Sequence, residues 1–262
     1  MAVNDWNPEL YHRFADLRLR PALDLMAQVP RLPEGDVIDL GCGSGAAGPA
    51  LAARFPGRRI VGVDSSPAML AKAAEAGIYA DLIEADAATW RPDTPPALIF
   101  SNALLQWLPD HDTLMPHLVA LLEPYGVLAV QMPRQEAAPS HRLIREVAAA
   151  LYPDRFCDPD AFRTTLRPAT GYVRLLEPEG EINAWETEYV QRLQHSAEGH
   201  PVRLFTSSTA MRPVLDRLTA AEQADFIAAY ESAISPSYPQ EPDGTVLFPF
   251  LRLFFVLRRG IL

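Results

Sequence analysis

The sequence predicts an α/β fold: a parallel sheet whose strands are joined by crossover helices. Three observations carry that expectation. Short β-rich runs alternate with helical segments across residues 36–132, a glycine-rich loop leaves the first run and enters the first helix, and a chain of 262 residues with 48% hydrophobic and 21% charged side chains can bury one large core.

The elements follow in order. Residues 8–29 form an amphipathic helical stretch, with Pro21 as the place where it would break. Residues 36–40 (DVIDL), 59–64 (RIVGVD), 82–86 (LIEAD), 97–102 (ALIFSN) and 126–132 (GVLAVQM) read as successive strands, and residues 46–55, 67–76 and 114–122 as the helices between them. Ser66 is placed to cap the second of those helices, with Pro67 in its first turn. From 133 to 180 the chain becomes less regular and richer in proline and arginine. A strand at 182–193 follows, then helical segments around 211–218 and 220–234, the latter opened by Thr219 with Glu222 three residues on, and a last strand at 246–257. The pattern does not give the order of strands in the sheet.

Composition narrows the function classes. The formal charge of −10 repels a phosphate backbone, so DNA, RNA and anionic membranes are not expected partners. A few arginines in a pocket would still attract a small acidic ligand. The most apolar stretch, 246–257, is interrupted by Pro249 and Arg252, and no run approaches the roughly 18 apolar residues of a membrane span. Residues 1–8 lack a basic segment followed by an apolar one, so no secretory signal is expected. The two cysteines, Cys42 and Cys157, include one inside the glycine loop, where a disulfide would obstruct a ligand; a reducing, cytoplasmic setting is expected.

The chemistry starts at Asp39-Leu40-Gly41-Cys42-Gly43-Ser44-Gly45, a loop between strand and helix. Alternating glycines allow positive φ and let a ligand touch the main chain, which an ordinary tight turn rarely requires. Asp64, ending the second strand, is placed to accept both hydroxyls of a ribose, and Asp86 with Ala87, after the third, to hold an adenine edge. Gly43, Gly45 and Gly48 also satisfy G-x-G-x-x-G, which raises a nicotinamide dinucleotide as an alternative. Asp39 opposes it, because its charge would repel a pyrophosphate, yet suits a ligand carrying an ammonium and a sulfonium.

These residues resemble the class I S-adenosylmethionine-dependent methyltransferases and, within them, the trans-aconitate 2-methyltransferases. The closer resemblance rests on Asp5-Trp6-Asn7-Pro8 with Tyr11, Asp64-Ser65-Ser66-Pro67-Ala68-Met69, Leu105-Gln106-Trp107-Leu108-Pro109-Asp110-His111, Gly126-Val127-Leu128-Ala129-Val130-Gln131-Met132-Pro133 and Arg252-Leu253-Phe254. It implies a Rossmann-like, seven-stranded, mostly parallel sheet with helices on both faces and a helical cover. It also implies an S-adenosyl-L-methionine site at Asp39, Gly41, Gly43, Asp64, Ser65, Asp86, Ala87 and Asn102. Residues 1–35 would then form an N-terminal helical cover segment, 36–133 the cofactor-binding core, and 134–262 the remaining strands with a helical insertion over the substrate. Two departures stand out. Ser44 replaces a common proline, and Phe205-Thr206-Ser207-Ser208-Thr209-Ala210-Met211-Arg212-Pro213 keeps Arg212 and Pro213 but not the family's tryptophan and glycine.

The resemblance further implies a small polycarboxylate acceptor and a methyl ester product. A carboxylate is already ionised at neutral pH and needs no general base, which fits a sequence without an evident Ser/His/Asp or Cys/His constellation. The six histidines show no metal-ligand spacing, so no metal is expected. Arginine is the favoured donor to carboxylates, and Arg20, Arg203, Arg212 and Arg252 lie in the segments expected to cover the cofactor, with Arg212 and Arg252 foremost. Tyr11, Trp107 and Trp185 are candidate pocket walls. Besides the NAD(P)-dependent oxidoreductase, an inactive methyltransferase-like binding protein is an alternative. The oligomeric state cannot be read.

Overall fold

The computed structural model of the chain describes residues 15–158 and 166–260. Its strands are β1 (Val37–Leu40), β2 (Ile60–Asp64), β3 (Asp81–Glu84), β4 (Leu98–Asn102), β5 (Val127–Pro133), β6 (Gly180–Leu193) and β7 (Val246–Arg259). Its helices are α1 (Ala15–Ala27), α2 (Gly48–Arg54), α3 (Pro67–Ala74), α4 (His111–Ala120), α5 (Pro139–Leu151), α6 (Pro153–Phe156), α7 (Ala169–Leu176), α8 (Pro201–Ser207), α9 (Arg212–Leu215) and α10 (Ala220–Ile234).

The strands form one sheet in the order β3-β2-β1-β4-β5-β7-β6. Strands β1 to β5 pair in parallel, and β7 enters antiparallel to β5. The chain divides into two compact units: residues 1–133, 166–187 and 252–262 form the first, and residues 134–165 and 188–251 the second.

In the first unit, Ile38, Leu40, Val61, Val63, Ile99, Leu128 and Val130 point to one face of the sheet, where Leu114, Leu118 and Val119 of α4 and Tyr172 and Leu176 of α7 bury them. α1 packs against β5, and α2 against β2. At the start of α3, the Ser66 hydroxyl accepts from the amide of Met69, as a residue in extended conformation before a helix should.

The second unit has its own core. Phe205, Phe248 and Phe250 meet edge-on, and the Tyr230 hydroxyl donates to the Ser140 carbonyl at 2.7 Å. Thr219 and Glu222 close the expected capping box at the start of α10.

Three local expectations change. α1 runs through Pro21 rather than breaking there. A proline inside a helix costs about 3 kcal/mol, and complete burial of Ala22, Leu25 and Met26 just beyond it supplies an offset of that order. The stretch from 133 to 180 is more regular than its composition suggests. Pro139 opens α5, occupying the first turn where the missing N–H has no partner to lose, and Ala169–Leu176 is helical. The short helix α8 was likewise not legible, again because a proline, Pro201, stands in its first turn.

Candidate active site

The strand register places the candidate residues on one face. Asp39 lies opposite Gly62 on one side and Phe100 on the other, and Phe100 lies opposite Ala129. Side chains alternate along a strand, so Asp64, Asn102 and Gln131, two residues further on, share that face at the carboxyl ends of β2, β4 and β5. β7 runs the other way, bringing Phe254 opposite Gln131 and Arg252 opposite Pro133. The row ends three strand spacings, about 14 Å, from Asp64 to Gln131. Sequence order reverses between β1 and β4, and the crevice beyond such a reversal is where open α/β sheets bind ligands.

The glycine loop borders that crevice. Gly41, Gly43 and Gly45 have φ of 76°, 53° and 80°, as the alternating glycines suggested. A Cβ on Gly41 would lie 2.6 Å from the Leu104 side chain, so that glycine serves packing. Among the described residues, a Cβ on Gly43 would meet no atom within 4 Å beyond its chain neighbours, so one side of the loop is left open by them. Asp64 pins the loop: Oδ2 accepts from the Gly43 amide at 2.9 Å and Oδ1 from the Ser66 amide at 2.9 Å. Lone pairs remain on both oxygens for a ligand.

Asp39 is buried and accepts a 2.6 Å hydrogen bond from the Tyr79 hydroxyl. Burial raises its carboxyl to about 7; the Tyr79 bond acts against that rise and the charge of Asp64 adds to it. Burial and the neighbouring Asp39 push the Tyr79 hydroxyl up as well, so it stays a donor. Burial likewise pushes up the Cys42 thiol, with Asp39 and Asp64 adding to it.

Tyr79 was not found by sequence reasoning. It precedes β3 and stands 40 residues from its partner, and no spacing rule connects the two. Its ring explains two glycines, since a Cβ on Gly45 or on Gly48 would come within 3.1 Å of it. Packing of a tyrosine thus accounts for two of the three glycines of the G-x-G-x-x-G match, Gly45 and Gly48, and leaves Gly43 to the ligand side of the loop.

The remaining candidates are distributed as follows. Asp86 is exposed beyond the end of β3, with Oδ1 accepting from the Ala88 amide at 2.9 Å, and Ala87 is buried beside it. Ser65 is exposed next to Asp64. The Asn102 Oδ1 is buried with no hydrogen-bond partner among the described residues. Trp185 stacks on Phe254 at 5.1 Å between ring centroids. Arg252 is buried, with Nη1 donating to Gln131 Oε1 at 3.2 Å. Trp107 and Arg20 are exposed, and Arg20 pairs with Asp24 one helical turn on.

Arg212 begins α9 in the second unit. Arg203, in the same unit, is taken up by Glu231 at 2.7 Å. Tyr11 and the segment around Trp6 lie outside the described residues. Both ring nitrogens of His111 are engaged, by the Tyr172 hydroxyl and the Leu105 carbonyl.

The residues on this face fit S-adenosylmethionine. Among the described residues, the side of Gly43 is open for a ligand to lie against the main chain, Asp39 is a carboxylate of the sign that suits an ammonium, Asp64 retains acceptor capacity for hydroxyls, and the Asn102 oxygen has no donor. A family model described as a methyltransferase domain matches residues 37–126. The YcgJ protein of Bacillus subtilis shares the fold, with a TM-score of 0.59 at 12% identity over 92% of this chain and 99% of its own. Phosphoethanolamine N-methyltransferase 2 of Haemonchus contortus does so with a TM-score of 0.52 at 14% identity over 92% of this chain and 53% of its own.

Fold and site together define a class I S-adenosylmethionine-dependent methyltransferase. Among curated relatives, the trans-aconitate 2-methyltransferase of Paracidovorax citrulli is 43% identical over 98% of this chain and 100% of its own. The protein of the same name from Escherichia coli O157:H7 is 44% identical over 98% of this chain and 99% of its own. The chain belongs to the trans-aconitate 2-methyltransferase family.

Proposed function

We propose that this protein transfers a methyl group from S-adenosylmethionine to a carboxylate oxygen of trans-aconitate, giving a methyl ester. The observation that carries this reading is the likeness to relatives of that name over nearly the whole chain. Free Cys42 and Cys157 and the lack, among the described residues, of a helix long and apolar enough to cross a membrane favour a cytoplasmic setting.

When bound, the cofactor supplies a methyl group on a positively charged sulfur, open to attack from the side opposite that sulfur. The attacking carboxylate oxygen carries no proton, so the chain has none to remove; its work is alignment and exclusion of water. Asp64 would receive the ribose hydroxyls, Asp39 would face the ammonium, Gly41 and Gly43 would let the main chain come close, Ser65 would border the ribose, and Asp86, Ala87 and Asn102 would border the adenosine. Arg252, with Trp185 and Trp107 as walls, receives the acceptor on the β5–β7 side. The first unit thereby carries the cofactor. Arg212 and Arg20 are further candidate donors to a carboxylate on the chemistry of their side chains alone.

The test is transfer of labelled methyl to trans-aconitate and related acids, followed by mild alkaline hydrolysis. Label released as methanol identifies an ester, whereas base-stable label overturns the carboxylate reading and absence of turnover favours an inactive binding protein. Arg212→Ala is expected to raise KM for the acceptor by about tenfold or more and leave affinity for S-adenosylhomocysteine unchanged, with Arg212→Lys rescuing only part because it lacks the planar fork.

Asp39 predicts a pH dependence. An ammonium facing it favours the ionised carboxyl, so affinity for S-adenosylhomocysteine should rise about tenfold from pH 6 to pH 8, as ionisation in the free protein passes through about 7. The stability of the free protein moves the other way. The folded value lies above the unfolded one, so this contribution is complete below about 4 and is lost as pH rises through about 7. Calorimetric titrations with S-adenosylhomocysteine check the first slope and thermal melts of the free protein the second, for the wild type and for Asp39→Asn, which should flatten both.

A further inference from the structure

We propose that Gln131 is a specificity-determining residue for the acceptor, its side-chain NH2 joining Arg252 as donor to one carboxylate of the substrate. The inference rests on the carboxylate-acceptor reading above and names a residue that reading did not include. Gln131 lies inside β5 with 0% exposure, where an apolar side chain of similar size would be the cheaper occupant. Its orientation is settled by chemistry: a guanidinium can only donate, so the oxygen must face Arg252 Nη1. The NH2 is therefore held on the other side of the amide, and Nε2 is buried with no hydrogen-bond partner among the described residues. A fully buried amide nitrogen left without an acceptor in a native strand calls for one that arrives with a ligand.

The surroundings say what kind of ligand. The sheet register puts Gln131 on the face that carries Asp64 and Asn102, at the carboxyl ends of the parallel strands, with Arg252 diagonally adjacent on β7. One side chain that only donates and one amide whose free end only donates form a pair matched to the two oxygens of a carboxylate. Trp185, stacked on Phe254 opposite Gln131, supplies an apolar wall on the same side.

The discriminating variant is Gln131→Glu. It keeps an oxygen for Arg252 and so preserves any purely structural role, but it places a negative charge where the NH2 was. Titration of trans-aconitate, with citrate and succinate alongside, into protein saturated with S-adenosylhomocysteine should show acceptor affinity falling about thirtyfold or more in Gln131→Glu. In turnover, KM should rise correspondingly, while affinity for S-adenosylhomocysteine stays within about twofold. Gln131→Met, which only removes the donor, should lose about tenfold, and it carries the same test if the Glu variant does not fold. Wild-type binding with undiminished affinity in both variants would overturn this role and leave the methyltransferase reading intact. Failure of the wild type to bind any of these acids would overturn both.

Discussion

Gly43→Val is expected to abolish binding of S-adenosylhomocysteine while the sheet stays folded. The Cβ would enter the open side of the glycine loop, where no atom of the described residues beyond its chain neighbours lies within 4 Å, so among them only the backbone angle resists it. That angle, φ 53°, costs an L-residue about 1–2 kcal/mol, and a β-branched side chain makes the conformation a rare one. Strain alone would lower thermal stability without targeting the ligand. Gly43→Asn separates the two causes, because asparagine tolerates this region of backbone space while still filling the cradle. Loss of calorimetric binding in both variants with a melting temperature near wild type in the Asn variant is the expected pattern. Binding retained in Gly43→Asn would make the loop structural rather than a ligand surface.

Asp64→Ala is expected to weaken cofactor affinity by about a hundredfold or more. Two hydroxyl hydrogen bonds to a charged acceptor are worth roughly 1.5 to 3 kcal/mol each, and about 1.4 kcal/mol already makes a factor of ten. The structure adds a second loss, since the same carboxylate holds the amides of Gly43 and Ser66 at 2.9 Å and so shapes the loop. Asp64→Asn keeps one acceptor oxygen and much of the shape, and should fall between wild type and the Ala variant. Titration with S-adenosylhomocysteine, read with a thermal melt of each variant, is the check. Unchanged affinity in folded Asp64→Ala protein would sink the ribose assignment.

The two variants probe a part of the molecule that was largely legible beforehand, for a local reason. The β-rich runs, the alternating glycines and an acidic residue at the end of the second strand are each set by neighbours a few residues away, and a positive φ at Gly41, Gly43 and Gly45 is a property of the loop alone. Ser66 and Thr219 announced their helices in the same way, because a cap is satisfied within the first turn. Proline was the weak point. At Pro139 and Pro201 it begins a helix, and at Pro21 it sits inside one, and its position relative to the first turn is what separates these cases.

What the sequence by itself determined was the class of fold, the glycine loop, the carboxylates at the strand ends and the family whose segments they match. What only the tertiary structure decided were the contacts between residues far apart in the chain. The place of β7 between β5 and β6 brings Arg252 to Gln131, 121 residues away, and the approach of Tyr79 to Asp39 crosses the space left by Gly45, Gly48 and Gly62. Strand order and side-chain packing are settled by burial of the whole sheet at once. A pairing such as Tyr79 with Asp39 therefore leaves no periodic trace in the chain, whereas turns and caps, whose hydrogen bonds close within a few residues, do.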